Sequence, residues 1–107
     1  MTYYEKIIAC LVAVGGTSVS HIAHLKNSRY IVWEEDGGND LLADNKHIQK
    51  SIFGVVDLFT KTEFDVWKEQ IEDSFDAYGI AWSFVDMDYE EDTGFYHYQW
   101  RWNIANG

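Results

Sequence analysis

The chain has 107 residues, of which 47% are hydrophobic and 17% aromatic, and its formal net charge is −10. This length predicts one domain over residues 1–107. The single cysteine, Cys10, excludes an internal disulfide, and its apolar neighbours indicate a small buried hydrophobe. The N-terminus lacks the pattern of a signal peptide, and no apolar run approaches the ~18 residues of a membrane span. We therefore expect a soluble domain made in the cytoplasm, with no membrane partner.

The charge is unevenly distributed along the chain. Residues 1–61 hold six basic and seven acidic residues, whereas residues 62–107 hold two basic and eleven acidic ones. Proteins that bind DNA or RNA through its phosphates need clustered lysine and arginine. The charge therefore argues against a nucleic-acid-binding module, although it is compatible with an acidic wall beside passing DNA.

The first element in chain order is a helix over residues 3–14. Thr2 and Glu5 have the spacing of a capping box, and apolar residues then recur at helical intervals. Gly15 and Gly16 end the helix, because glycine adopts the left-handed conformation of a helix end without strain.

Two strands are predicted next, over residues 19–26 and 29–35. The turn residues Asn27 and Ser28 separate them, which is typical of a hairpin. The apolar residues of the first strand do not alternate cleanly. An acidic loop over residues 34–40 follows.

A third strand is predicted over residues 48–60, and Gly54 within it indicates a bulge or a close backbone approach. Thr62 is then placed to cap a second helix, which Gly79 ends. The apolar stripe of this helix consists of Phe64, Trp67, Ile71, Phe75 and Tyr78. Its outer face is acidic and consists of Glu63, Asp65, Glu69, Glu72, Asp73 and Asp76.

The last third predicts a hairpin of two strands, residues 80–89 and 95–104, around a turn at residues 91–94. In the final strand the aromatic and aliphatic residues alternate strictly with polar ones, so one face is apolar. Packing that face on the second helix explains it better than stacking of single-stranded bases, because the basic groove of such a platform is missing. The predicted fold is α+β, in the order αβββαββ, with two helices on one face of a five-stranded, largely antiparallel sheet.

The sequence offers few candidates for chemistry. The densest acidic cluster is Asp86, Asp88, Glu90, Glu91 and Asp92, but alternation turns the first three to the solvent side of a strand, and the spacing of an EF-hand is missing. His21 and His24, three residues apart on a strand, would point to opposite faces. No signature of a nucleophile or a phosphate loop is present. We therefore expect no catalytic residues, no metal site and no cofactor, and hence no enzyme.

Four segments in one order resemble the small tail-terminator proteins of long-tailed bacteriophages and prophages. They are Arg29 to Trp33, Ala43 to Lys46, Gly54 to Lys61 and Glu91 to Tyr98. The resemblance covers the chain from about Tyr30 onward, and the family's αβββαββ arrangement agrees with the order predicted above. It brings no catalytic or ligand residues with it.

The resemblance implies a structural virion protein made in the host bacterium and placed in the neck region of the tail. Such a protein forms a ring, typically of six subunits, on the head-proximal end of the tail tube. It stops growth of the tube and joins the head connector or stopper protein, and DNA passes through its lumen without specific binding. The alternatives are another neck protein of the head-closure or stopper type, a metal-dependent nuclease, or a small binding domain.

An acidic lumen would suit such a ring, because it keeps DNA phosphates from adhering. We expect its lining to come from residues 34–44 or from the acidic face of the second helix.

Overall fold

The computed structural model describes residues 2–36 and 51–105, and its elements follow the predicted order αβββαββ. They are α1 (Tyr3–Gly15), β1 (Val19–His21), β2 (Arg29–Glu35), β3 (Ser51–Thr60), α2 (Trp67–Ala77), β4 (Ala81–Glu90) and β5 (Phe95–Ala105), with a short 3-10 turn at Gly16–Ser18. The five strands form one sheet in the order β1-β2-β3-β5-β4. The predicted α+β class is confirmed. Residues 37–44 of the predicted acidic loop and lumen lining, and residues 48–50 of the predicted third strand, lie outside the described residues.

Helix α1 begins with the predicted capping box. The backbone N–H of Glu5 donates to Thr2 Oγ1 at 3.1 Å, and that of Thr2 donates to Glu5 Oε1 at 2.9 Å. These two bonds satisfy donors that the first helical turn leaves without partners. At the other end Gly16 has φ +55°, which an L side chain rarely adopts. The predicted start and end of the helix are thus confirmed.

The predicted hairpin between the first two strands is wrong. Strand β1 is three residues long and pairs with β2 in parallel, with Val19 beside Ile31. A two-residue turn cannot join two parallel strands, because the chain must first return to the end of the sheet at which the first strand began. Residues 22–28 form this crossover connection. This crossing brings Leu25 against a small second core of Tyr30, Val32 and Phe59 on the face away from the helices. Burial of those side chains stabilises the crossing, and a hairpin would have left them uncovered.

Helix α2 begins four residues later than predicted, at Trp67 rather than at residue 63. Its N-cap residue is Val66, not the predicted Thr62, and it makes no side-chain cap bond. Asp65, one residue earlier, bonds to the first residue of the helix instead, because Asp65 Oδ1 accepts from the backbone N–H of Trp67 at 2.9 Å. The Asp65 carboxylate also accepts from Thr60 Oγ1 at 2.6 Å and from Arg29 Nη1 at 3.1 Å. Asp65 is therefore 2% exposed and does not belong to the acidic outer face. Phe64, predicted in the apolar stripe, has φ +57° and is 84% exposed.

The main core lies between the two helices and one face of the sheet. Strand β5 supplies four buried residues at alternating positions, which confirms its predicted apolar face: Tyr98, Trp100, Trp102 and Ile104. Ser74 Oγ on α2 donates to the backbone carbonyl of Cys10 on α1 at 2.7 Å, and Cys10 is fully buried as predicted. The helices are thus joined to each other as well as to the sheet.

Two acidic side chains of α2 accept hydrogen bonds from tryptophan side chains of the sheet. Glu72 Oε2 accepts from the indole N–H of Trp100 at 3.0 Å, and Asp76 Oδ1 accepts from that of Trp82 at 2.8 Å. Trp100 is fully buried, and its indole N–H without a partner would cost about 1–3 kcal/mol, whereas the bond of Trp82 is exposed and contributes less. These two carboxylates therefore have structural roles that their positions on a predicted outer face did not indicate.

Gly54 marks a close approach between β2 and β3. A Cβ at this position would lie 1.9 Å from the backbone carbonyl oxygen of Glu34. This confirms the second of the two predicted roles of Gly54. A break in strand register occurs in β4 instead, where Val85 lies between the paired residues Phe84 and Asp86.

Candidate assembly surfaces

The acidic residues of β4 lie where alternation predicted them. Asp86, Asp88 and Glu90 pair with Gln99, His97 and Phe95 on the face of the sheet opposite the main core. Among residues 2–36 and 51–105, no three histidine, cysteine or acidic side chains are grouped so as to hold a metal ion. Within the same residues, no helix is long and apolar enough to cross a membrane.

One titratable cluster stands on that outer face, around His97. Its Nε2 atom lies 2.6 Å from Asp57 Oδ1, which also accepts from Gln99 Nε2 at 3.0 Å. The His97 ring stacks on Phe59 with 4.3 Å between ring centroids. The hydrogen bond to Asp57 raises the pKa of His97, and the nearby charges of Asp57, Glu90 and Asp88 act in the same direction. The cluster ties β3 to β5, and its polar atoms are used within the sheet.

Helix α1 carries an exposed apolar stripe, which we call the α1 stripe. Tyr4, Ile8 and Val12 are 40%, 40% and 44% exposed and follow one another at intervals of four residues, so they share one side of the helix. α2 lies on a different side of α1, where it bonds to the Cys10 carbonyl. The Tyr4 ring lies 6.2 Å from that of Trp33 on β2. The α1 stripe therefore faces the β1–β2 side of the molecule.

Strand β4 carries a second exposed apolar surface, which we call the β4 surface. Phe84, Met87 and Tyr89 are 41%, 44% and 48% exposed. They pair with Trp100, Tyr98 and Tyr96 of β5, so they lie on the same face of the sheet as the helices. Helix α2 packs near the start of β4, where Lys68 Nζ lies 4.9 Å from the centroid of the Phe84 ring, and it leaves the three side chains partly exposed.

The surroundings of the two surfaces differ in charge. Residues 2–36, which include the α1 stripe, contain three lysine or arginine residues and four acidic residues: Lys6, Lys26, Arg29, Glu5, Glu34, Glu35 and Asp36. Residues 81–95, which include the β4 surface, contain five acidic residues and no lysine or arginine: Asp86, Asp88, Glu90, Glu91 and Asp92. The first three of them lie on the opposite face of the sheet from the β4 surface, and Lys68 of α2 lies over the Phe84 ring. Because β1 and β4 are the two edges of the sheet, the regions lie on opposite sides of the molecule.

The sequence analysis assigned no residues to these surfaces. A signal was present in α1, where Tyr4, Ile8 and Val12 widen the apolar arc beyond the buried residues Ile7 and Leu11. A helix on a small core buries a limited arc, so a wider one indicates a second contact. For β4 no comparable signal existed, because its exposure depends on how far α2 extends over the sheet.

Comparisons with known proteins bear on the fold. No protein-family model matches this chain. No curated protein matches it either. Among solved structures, a chain described as "Virion of native gene transfer agent (GTA) particle" matches with a TM-score of 0.50 and 14% sequence identity. The match covers 96% of this chain and 91% of that chain. At this level of identity the match shows a shared fold, which spans nearly the whole of both chains.

Proposed function

We propose that this protein is a structural virion protein, and more specifically a tail terminator. In this role it forms a ring on the head-proximal end of the tail tube, stops polymerisation of the tube protein and offers a joining surface to the head connector or stopper protein. The observation that carries the proposal is the fold shared, over 96% of this chain, with a chain of a virion particle. The four segments that resemble tail terminators support the finer assignment.

The surface of the molecule is compatible with a subunit that makes two contacts. The α1 stripe and the β4 surface together expose six large apolar or aromatic side chains on a small domain. Exposed apolar patches of this kind mark sites where proteins meet other proteins. The proposed protein acts through such contacts and performs no catalysis, and its ring, typically of six subunits, lets DNA pass.

One other neck role and two unrelated classes compete with this proposal. A head-closure or stopper protein would also form a ring but would sit on the connector side of the joint. A packaging nuclease would cleave duplex DNA when Mg²⁺ or Mn²⁺ is added, and a small binding domain would not assemble. Location in the particle and assembly in solution therefore separate the four.

The decisive experiment for the role is electron microscopy of particles or detached tails labelled on this protein. We expect label at the head-proximal end of the tail tube, and we expect tails of irregular length when the protein is absent from an assembly reaction. Label on the connector of tailless heads would favour a stopper protein. Label elsewhere in the particle would overturn both neck assignments.

Assembly in solution should depend on salt. The net charge of −10 makes free subunits repel one another at long range, and the Debye length falls from ~10 Å at 0.1 M salt to ~3 Å at 1 M. We expect mainly monomer at low salt and high dilution, and a closed ring at high salt or protein concentration. Sedimentation velocity over a salt and concentration series, with native mass spectrometry to count subunits, checks this. A stable symmetric dimer would instead indicate an ordinary binding domain.

A further inference from the structure

We propose that His97 is a proton-dependent latch that ties the turn between β4 and β5 to the inner strand β3. Its parts are Asp57 on β3, the ring of His97 on β5, and Glu90 and Thr93 at the turn, and we call them the His97 latch. The latch is closed when both ring nitrogens carry a proton, and it is open when the ring is neutral. It is a conformational device within one copy of the chain, so it does not depend on the proposed role in the particle.

The two nitrogens of the His97 ring face carboxylates on two different strands. Nε2 lies 2.6 Å from Asp57 Oδ1, and Nδ1 lies 3.9 Å from Glu90 Oε2. A neutral imidazole has a single N–H, so it turns a lone pair toward one of the two carboxylates. The imidazolium has two N–H groups and a positive charge, so it attracts both carboxylates at once. The arrangement therefore fits the protonated ring better than the neutral one.

The two contacts of the ring respond differently to loss of the proton. The contact with Asp57 has the length of a hydrogen bond, and a neutral ring that keeps its hydrogen on Nε2 can still make it. The 3.9 Å contact with Glu90 is longer than a hydrogen bond, so it depends on the charge of the ring. Deprotonation at Nδ1 therefore keeps β3 joined to β5 and releases Glu90.

Glu90 connects the ring to the turn. Its Oε1 atom accepts from Thr93 Oγ1 at 3.0 Å, and its backbone carbonyl accepts from the N–H of Gly94 at 2.7 Å. One oxygen of the carboxylate thus faces the His97 ring while the other holds the turn. The Glu90 side chain is 36% exposed, so water can solvate it once the ring no longer attracts it. Release of Glu90 therefore loosens the turn and leaves the pairing of β5 with β3 intact.

The groups around the ring set the direction of the change with pH. The charged and titratable groups on this part of the outer face include Asp57 on β3, Asp88 and Glu90 on β4, Tyr30 on β2, His24 in the crossover and Lys61 after β3. The hydrogen bond to Asp57 raises the pKa of His97 most, burial of the ring opposes the rise, and the three carboxylate charges add to it. The latch is therefore closed below pH 6.5, the ordinary value, and it opens as the pH rises through the raised pKa.

An NMR titration of the full chain tests the latch. The ring signals of His97 report its protonation, and exchange of the Gly94 amide with water reports the turn. The pH series begins below 6.5 and rises until the ring is neutral. Glu90→Gln removes the charge that the ring attracts, while its amide oxygen can still accept a hydrogen bond from the turn. Two controls leave the latch itself unchanged: Asp88→Asn removes a nearby charge of β4, and His24→Gln removes the histidine of the crossover. Circular dichroism verifies that all variants are folded.

In wild type the exchange of the Gly94 amide, corrected for its ordinary pH dependence, should become about twofold to fivefold faster as the ring loses its proton. This is the scale of a partly exposed ion pair. The midpoint of the change should equal that of the His97 ring. In Glu90→Gln the ring should still titrate, but the corrected exchange should no longer follow it. In both controls the exchange should follow the ring as it does in wild type.

Other outcomes overturn the inference. A wild-type turn whose corrected exchange is constant, or becomes slower as the ring is deprotonated, would show that protonation of His97 does not hold the turn. Exchange that still follows the ring in Glu90→Gln would show that Glu90 does not make the connection. Loss of the coupling in His24→Gln or in Asp88→Asn would assign it to one of those residues and reject the latch.

Discussion

Strand β1 forms one edge of the sheet over three residues, whereas β4 forms the other edge over ten. The short edge follows directly from α1 and its 3-10 turn, and its neighbour β2 has four successive buried residues. The long edge is mostly exposed, and it carries aromatic side chains on one face and carboxylates on the other. An open edge is a hazard that proteins manage by shortening it, interrupting it or charging it. Here one edge is shortened, and the other is interrupted and charged.

The comparison shows which parts of the molecule form its core and which apolar parts are left exposed. The core depends on β2, β3 and β5, which lie inside the sheet, and on the inner sides of both helices. The α1 stripe and the β4 surface lie outside that core. Side chains at the edges can therefore be changed without unfolding the protein, whereas changes in the inner strands β2 and β3 should destabilise the fold.

The largest effect is expected at Gly54 of β3, which lies against the neighbouring strand β2. Gly54→Ala places a Cβ that would lie 1.9 Å from the Glu34 carbonyl oxygen, so the strands must separate. We expect the free energy of unfolding to fall by at least about 3 kcal/mol. Chemical denaturation measures this change. The control is Gly16→Ala, whose Cβ meets nothing within 4 Å and whose cost, about 1–3 kcal/mol, comes from its backbone conformation (φ +55°, ψ −126°) alone. Equal losses in the two variants would contradict the close approach.

A smaller loss is expected at Asp65, which links the start of α2 to the β2–β3 side. Asp65→Ala removes the acceptor of the Trp67 N–H at the start of α2 and leaves Thr60 without its 2.6 Å acceptor, and we expect a loss of about 2–3 kcal/mol. Thr62→Ala is the matched test of the cap that the sequence predicted, and it should change stability by less than about 0.5 kcal/mol. Denaturant titration of both variants measures the difference. A larger loss from Thr62→Ala would restore the predicted helix start.

The smallest effect is expected at His97 of β5, on the face of the sheet opposite the main core. Its pKa is raised in the folded protein, chiefly by the hydrogen bond to Asp57, from the ordinary value of 6.5. The protonated ring therefore stabilises the fold fully below pH 6.5, and this stabilisation is lost as the pH rises through the raised pKa. The difference in the free energy of unfolding between wild type and His97→Gln should therefore become smaller as the pH rises through the raised pKa of His97.

Two measurements follow the behaviour of His97. Unfolding at a series of pH values compares wild type with His97→Gln, and an NMR titration of the ring compares wild type with Asp57→Asn. In Asp57→Asn the pKa of His97 should move back toward its ordinary value. A titration that is the same in both proteins would show that Asp57 is not the cause.

Much of the fold could be predicted because its signals are local. The capping box of Thr2 and Glu5, the glycines that end both helices and the strict alternation of β5 each depend on residues close together in the chain. Alternation also placed Asp86 and Asp88 on the outer face, since successive side chains of a strand point to opposite sides. The tail-terminator role and the absence of catalysis remain proposals.

The sequence by itself determined the order of the elements, the apolar side of α1 and the aromatic side of β5, because helical and strand periodicities act over a few residues. Only the tertiary structure decided the direction of β1, the bond of Asp65 to the start of α2 and the exposure of the β4 surface. Each of these depends on at least one residue far away in the chain: Leu25 lies near Phe59, Arg29 bonds to Asp65, and α2 packs near the start of β4 only. The free energy of such contacts comes from burial and hydrogen bonding in three dimensions, which no local pattern encodes.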